Sequence, residues 1–255
     1  MSEPRSFYRR TVPLDPAVHG AHKVDALADF SITRDLHAVF ITATEFPQAG
    51  LEFPLLFVAT GRRNGAGRPQ MSTIALLGVA EGENLQLDGE RWVARYIPAS
   101  IRRYPFATAS TPGPSGLRVL VDDSWPGFSP IAAEPLFDAE GRPAPALTRA
   151  IDFLDRFELE AERTRTFCDR VVALDVLKEM KAEATLLGGE KISVDGFHAI
   201  DEDRLRALPD ATVLGLFRSG MLALVQAHLL SLANIRHLVM RLGVVRARMP
   251  APEST

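Results

Sequence analysis

Apolar positions along the chain change their period near the middle. From Ala38 to about Val121 they come in short runs of β-branched and aromatic residues, AVFITATEF, FPLLFVAT, STIALLGVA and RWVARYIP, separated by turn formers. That composition predicts strands. GRRNGAGRPQ joins two of the runs as a glycine-rich turn, and GENLQLDGERW predicts a hairpin in which Asp88-Gly89 suits the positive φ of a tight turn. Strand period then puts Trp92 and Tyr96 on one face. Between Asp122 and Pro145 prolines and glycines recur too often for a regular element, which predicts a long ordered loop with a small turn capped by Asp138.

From Leu147 to Glu179 the spacing becomes three and four, at Leu154, Phe157, Ala161, Thr164, Cys168, Val171 and Val172, and predicts a helix. Cys168 lies on its apolar stripe and reads as a small core residue. KAEATLLGGEKISVDGFHAID predicts two strands joined near Gly188-Gly189. Helices follow: DEDRLRAL capped by Asp201, then PDATVLGLFRSG, then one long helix from about Met221 to Leu242. On a helical wheel Met221, Val225, Leu229, Leu232, Ile235, Val239 and Leu242 fall on one side with His228 in their midst, and Gln226, Asn234, His237 and Arg241 fall opposite. The expected fold is α+β: a twisted, mostly antiparallel sheet from the N-terminal half, packed by C-terminal helices. Its parts are an extension (1–37), a β-rich region (38–145) with the loop 122–145, a mainly helical region (146–245) with a short strand pair near 183–199, and a flexible tail (246–255), all in one compact unit.

Composition adds exclusions. The 255 residues are 46% hydrophobic and 24% charged, enough apolar content for a substantial core. A net charge of -3 gives no global positive field, so nucleic acid is not an expected partner. One cysteine cannot form an internal disulfide, and the first residues interrupt any signal-like apolar run with charges and prolines, which predicts a reducing, cytoplasmic setting. Residues 219–235 fall short of the ~20 apolar residues of a membrane span and predict a buried helix instead.

The densest chemistry is RWVARYIPASIRRYPF, residues 91–106. Pro98 ends a strand and opens a helical turn, and Pro105 closes that turn. The arrangement presents Arg102 and Arg103 beside Trp92, Tyr96 and Tyr104, a set suited to carboxylates, phosphates or aromatic faces. The alternative is that the arginines pair with Glu81, Glu83 or Glu90 while the rings fill the core. Glu45 ends an apolar run and joins the set either as an acid/base or as an ion-pair partner for an arginine. His198 and His228, with Asp195 or Asp201, are a buried polar pair or part of a metal site, and a satisfied core histidine is the preferred reading. Phosphate-loop, Rossmann, serine-elbow and zinc-protease signatures are absent, and neither a cofactor nor a metal is expected.

Read in order, Glu45-Phe46-Pro47, Phe53-Pro54, Leu76-Leu77-Gly78, Gly82-Glu83-Asn84-Leu85, Trp92, Tyr96-Ile97-Pro98-Ala99, Ile101 to Phe106, Leu136-Phe137 with Gly141, Asp195-Gly196-Phe197, Ile200-Asp201, and His228-Leu229 with Ser231-Leu232 and Asn234 resemble the SapC family of bacterial proteins. The resemblance runs from about Ala38 to Leu242. It implies an association with a paracrystalline surface layer and carries no catalytic residues over. The expected function is a cytoplasmic binding or accessory protein that recognises an anionic or aromatic group, with a peptide as one such ligand, through Glu45, Trp92, Tyr96, Arg102, Arg103 and Tyr104. Two rivals stay open: an enzyme acting on a peptide or indole-type substrate with Glu45 or His228 as acid/base, and a structural surface-layer component. A homo-oligomer or an envelope-associated protein partner fits either a binding or a structural role. Surface location would require a non-classical route.

Overall fold

The run Leu55–Val58 is apolar at every position because the strand it forms is covered on both sides. Leu55 and Phe57 belong to one core cluster and Leu56 and Val58 to another, as strand period demands when neither face meets water. The structure, a computed structural model, describes residues 7–110, 117–185 and 191–248. Its largest sheet has five antiparallel strands in the order Leu177–Thr185, Lys191–Ile200, Leu55–Arg63, Pro69–Leu76, Ala38–Phe40. The α+β expectation holds, with the sheet drawn from both halves of the chain. Leu177–Thr185 and Lys191–Ile200 do pair, but they extend the main sheet through His198 opposite Phe57 and are no separate unit. Their junction near Gly188-Gly189 lies outside the described residues.

A second sheet of three strands, Thr11–Pro13, Leu117–Asp122 and Phe106–Ser110, ties the amino-terminal residues to the body. A third, of two-residue strands, pairs Lys23–Val24 with Phe128–Ser129 and Glu134–Pro135 inside the predicted loop region. The 29-residue helix Pro145–Ala173 bridges these units. Leu147 and Leu154 join the cluster of Val24, Phe106, Val121 and Leu136, whereas Phe167, Cys168 and Val171 join the cluster under Leu55 and Phe57. The helix stops at Ala173, short of the predicted Glu179. Asp175 takes a positive φ of 53° and turns the chain into the strand that starts at Leu177.

Local signals explain three further departures. AVFITATEF is strand only to Phe40, because Thr42 and Glu45 close a T-x-x-E turn that starts a short 3-10 helix, Ala43–Glu45. RWVARYIP is strand only at Arg91–Trp92, where it pairs with Leu87–Asp88 around Gly89 at φ 64°. The helical turn Ala99–Arg102 after Pro98 forms as expected. The predicted single helix from Met221 is two, Met221–Ser231 and Asn234–Arg248. Between them Leu232, Ala233, Ile235 and Arg236 bond to carbonyls three residues back, a 3-10 tightening that re-aims the rod.

That re-aiming lets the helices serve both faces of the sheet. Val225 packs in the cluster of Leu55 and Phe57, and Leu238 and Leu242 pack in that of Leu56 and Val58. Ser231 at the junction accepts the Leu55 N–H at 3.0 Å and donates to the His228 carbonyl. Asn234, expected on the polar side, is buried and donates to the Gly50 carbonyl at 2.8 Å. The expectation of a buried helix is also corrected. Met221–Arg246 is long and apolar enough by length and composition to cross a membrane, yet only 28% of its most apolar window is buried.

Candidate functional site

Glu45 is 7% exposed and anchors the predicted set. Its Oε2 accepts from the Thr42 N–H at 2.9 Å and the Thr42 hydroxyl at 2.8 Å, and its Oε1 accepts from the Ala99 N–H at 2.7 Å and the Tyr96 hydroxyl at 2.8 Å. Four neutral donors therefore surround one carboxylate, and they fasten the start of the Ala99–Arg102 helix to the end of the Ala38–Phe40 strand. Neither predicted role is what these bonds build: among the described residues no arginine bonds directly to the carboxylate, and each of its oxygens accepts two hydrogen bonds. Burial raises the Tyr96 hydroxyl pKa well above its usual value, and the Glu45 charge adds to the effect.

Arg102 is exposed. Its Nε donates to the Ile97 carbonyl at 2.9 Å, and its guanidinium lies 5.7 Å from the Tyr96 ring centroid and 5.4 Å from that of Phe153. Arg103 turns the other way, 4.5 Å from the Phe157 ring and 3.9 Å from a Glu158 oxygen. The predicted partners Glu81, Glu83 and Glu90 take no part in these contacts. Trp92 is buried against Phe30 and Phe53 and donates its indole N–H to the Tyr96 carbonyl at 2.9 Å. Tyr104 joins a different group of rings, with Phe7, Tyr8 and Trp125. The set is thus divided between Trp92, Tyr96, Glu45 and Arg102 on one side and Arg103 and Tyr104 on the other.

Beside Tyr104 stands a second buried carboxylate that sequence reasoning missed. Asp122, fully buried, accepts from the backbone N–H groups of Arg9 (2.7 Å), Arg10 and Ser124 (both 3.2 Å), from the Ser124 hydroxyl (2.6 Å) and from the Tyr104 hydroxyl (3.3 Å). Burial alone would raise its pKa, but these donors more than offset that and hold it below the usual carboxylate range. Desolvation pushes the neighbouring Tyr8 hydroxyl up to about 12 against the opposing pull of Arg103.

The two histidines do not converge on a metal. His228 is fully buried and its Nε2 accepts the Ile200 N–H at 3.1 Å, pinning a helix to a strand, and burial lowers its pKa to about 4. His198 is partly buried in the strand opposite Phe57. Among the described residues no group of three His, Cys, Asp or Glu could hold a metal ion. Cys168 is buried and its thiol is pushed up to about 12 by desolvation, which leaves it in the unreactive thiol form.

A spacious opening lies beside the RWVARYIP segment. A cleft of about 970 Å3 runs between Gln86–Ala94 and the helix Asn234–Arg248, with Leu51, Leu87, Val93 and Val245 as its apolar walls and Glu52, Asp88, His237 and Arg241 as its polar ones. Glu52 organises this wall, since its two oxygens accept the N–H groups of Arg95 (2.7 Å) and Tyr96 (3.1 Å). Upstream of this wall Gly78 lets the chain fold back tightly on itself, because a Cβ there would come 1.8 Å from the Glu83 carbonyl oxygen. None of the sequence-predicted site residues lines this cleft directly. Glu52 and the helix residues are brought to it by tertiary packing and carry no local motif.

The SapC family model matches residues 14–238. The chain belongs to the SapC family. Neither the curated proteins nor the solved structures include a match to it. Within this SapC chain, then, Asp122 and Glu45 both fall inside the family-matched span, as do Glu52, His237 and the Gln86–Ala94 wall.

Proposed function

We propose that this SapC-family protein is a binding or accessory protein that holds a peptide segment bearing an aromatic or carboxylate group in the cleft between Gln86–Ala94 and the last helix. The cleft itself carries the reading. Its volume of about 970 Å3 and its mixture of aliphatic walls with a few charged groups suit a ligand with apolar and ionic parts. His237 and Arg241 supply donors for a carboxylate on one wall, and Val93, Ala94 and Leu87 supply apolar contact on the other.

Arg102 adds a second contact for anionic ligands. It is linked to the cleft wall through Tyr96, whose N–H is held by Glu52 and whose hydroxyl lies 3.5 Å from the Arg102 guanidinium. The enzymatic alternative draws less support, since Glu45 and His228 are both buried and engaged in backbone-holding bonds. The proposal keeps a cytoplasmic setting and leaves the link to the envelope with the ligand.

A peptide library screened by thermal shift and then by calorimetry tests this. Val244 lines the cleft from the exposed side of its helix, so Val244→Trp fills the cleft without disturbing the core. Hits are expected to lose binding at least tenfold in Val244→Trp, and Arg102→Ala is expected to weaken the anionic hits alone. Hits that bind Val244→Trp as tightly as the unaltered protein would dismiss the cleft.

A further inference from the structure

The helix Asp210–Arg218 is amphipathic in the wrong sense for a soluble surface. It buries only Leu216, while Leu214 and Phe217 are 45% and 69% exposed on its outward side. A groove of about 620 Å3 lined by Leu205, Leu208, Val213 and Leu222 adjoins them, with Arg206 and Asp210 at its rim. On the next helix Leu230 is 75% exposed. Uncovered apolar surface of this kind marks a place where something else lies.

Charge says what. Residues 211–246 hold four arginines, Arg218, Arg236, Arg241 and Arg246, and no Asp, Glu or Lys. The chain's net -3 is therefore split into +4 over this stretch and -7 over the remainder. Arg218 and Arg236 are exposed and form no salt bridge among the described residues. An apolar face fringed by arginine and free of acid after Asp210 complements an anionic lipid surface, where rings and aliphatic chains enter the headgroup layer and guanidinium groups meet phosphate. A second copy packed through the same stretch, residues 211–246, would bring further arginines and no acidic partner for them.

We infer that the uncovered apolar residues Leu214, Phe217 and Leu230, with the exposed Arg218 and Arg236, dock on the headgroup layer of an anionic phospholipid membrane. The helices lie on the membrane and do not cross it, although Met221–Arg246 has the length and hydropathy for a span. His228 and Ser231 hydrogen-bond into the sheet, and Leu238 and Leu242 are buried against it. Crossing would strip all four from the core.

Flotation of the full chain with vesicles tests the inference. One set of vesicles is phosphatidylcholine alone, and the other contains about one-third phosphatidylglycerol. The protein is expected to float with the anionic set, to stay down with the neutral set, and to detach as salt rises. Phe217→Ser and Leu230→Gln, both at exposed positions, are each expected to cut the bound fraction about tenfold. Arg218→Gln is expected to cut it about fivefold. No flotation with anionic vesicles overturns the inference, and so does flotation that Phe217→Ser and Leu230→Gln leave unchanged. A dimer in sedimentation that Phe217→Ser dissociates, without vesicle binding, would assign the face to a second copy instead.

Discussion

Glu45 and Phe217 are opposites within this molecule. One is a carboxylate at 7% exposure with four donors around it, and the other is a phenyl ring at 69% exposure on a helix that buries almost nothing. The amino-terminal half spends its polar chemistry inward: Glu45 and Asp122 each gather a tyrosine hydroxyl and backbone N–H groups from distant segments. The carboxy-terminal helices leave apolar chemistry outward. A crowd of charged and aromatic residues in a sequence is thus no guide to a ligand, because a buried carboxylate needs such a crowd to remain ionised. Surface function shows instead where burial and residue type disagree.

The largest test of that contrast is Glu45→Ala. Removing the carboxylate strands the N–H groups of Thr42 and Ala99 and the Tyr96 hydroxyl in a buried place. Each unsatisfied donor costs on the order of 1 to 3 kcal/mol, so a loss of about 4 kcal/mol is expected in urea unfolding. A loss under about 1 kcal/mol would show that the site tolerates an absent carboxylate, as a ligand-binding group would.

A smaller effect, on the same inward side, comes from acid. His228 has a folded pKa of about 4, below the unfolded value near 6.5, so the unfolded chain takes up a proton that the folded chain refuses. Stability is complete above pH ~6.5 and falls as pH drops toward 4, by roughly 3 kcal/mol. Asp122, whose pKa is lowered from 3.8, loses its contribution only at still lower pH, so the two windows separate. Urea midpoints measured from pH 7 to 4 should show the slope, and His228→Gln should flatten it. An unchanged midpoint over that interval would mean that the imidazole is not held neutral by the core.

Much of this architecture was legible in the sequence because it rests on local rules. The strand-forming composition of FPLLFVAT, Pro98 and Pro105 around a helical turn, and the Asp201 cap that accepts from the N–H groups of Asp203 and Arg204 are examples. The T-x-x-E signal at Thr42–Glu45 was equally readable and explains why the strand stops at Phe40. What stayed hidden depends on segments far apart in the chain. Asp122 clamps residues 113 positions away, and Asn234 reaches the Gly50 carbonyl 184 positions away. A helical wheel placed Asn234 among solvent-facing residues, since it assumes one unbroken rod and cannot register the tightening at Leu232 and Ala233. The cleft was invisible for the same reason, being the gap between two segments about 150 residues apart in sequence.

The smallest expected effect is the most discriminating. If Phe217 were part of the core, Phe217→Ser would cost the 3 kcal/mol or more typical of emptying a packed aromatic site. At 69% exposure most of its ring already meets water in the free protein, so folding gains little from it. The expected change in unfolding free energy is within about 0.5 kcal/mol of zero, measured by urea unfolding without lipid. A change that small, beside the large loss expected for Glu45→Ala, would mean that folding draws on the inward carboxylate and not on the outward ring. A ring on which folding does not draw is then open to the lipid contact inferred for it. A loss of 2 kcal/mol would instead return Phe217 to the ledger of the fold and dissolve the contrast between the two halves.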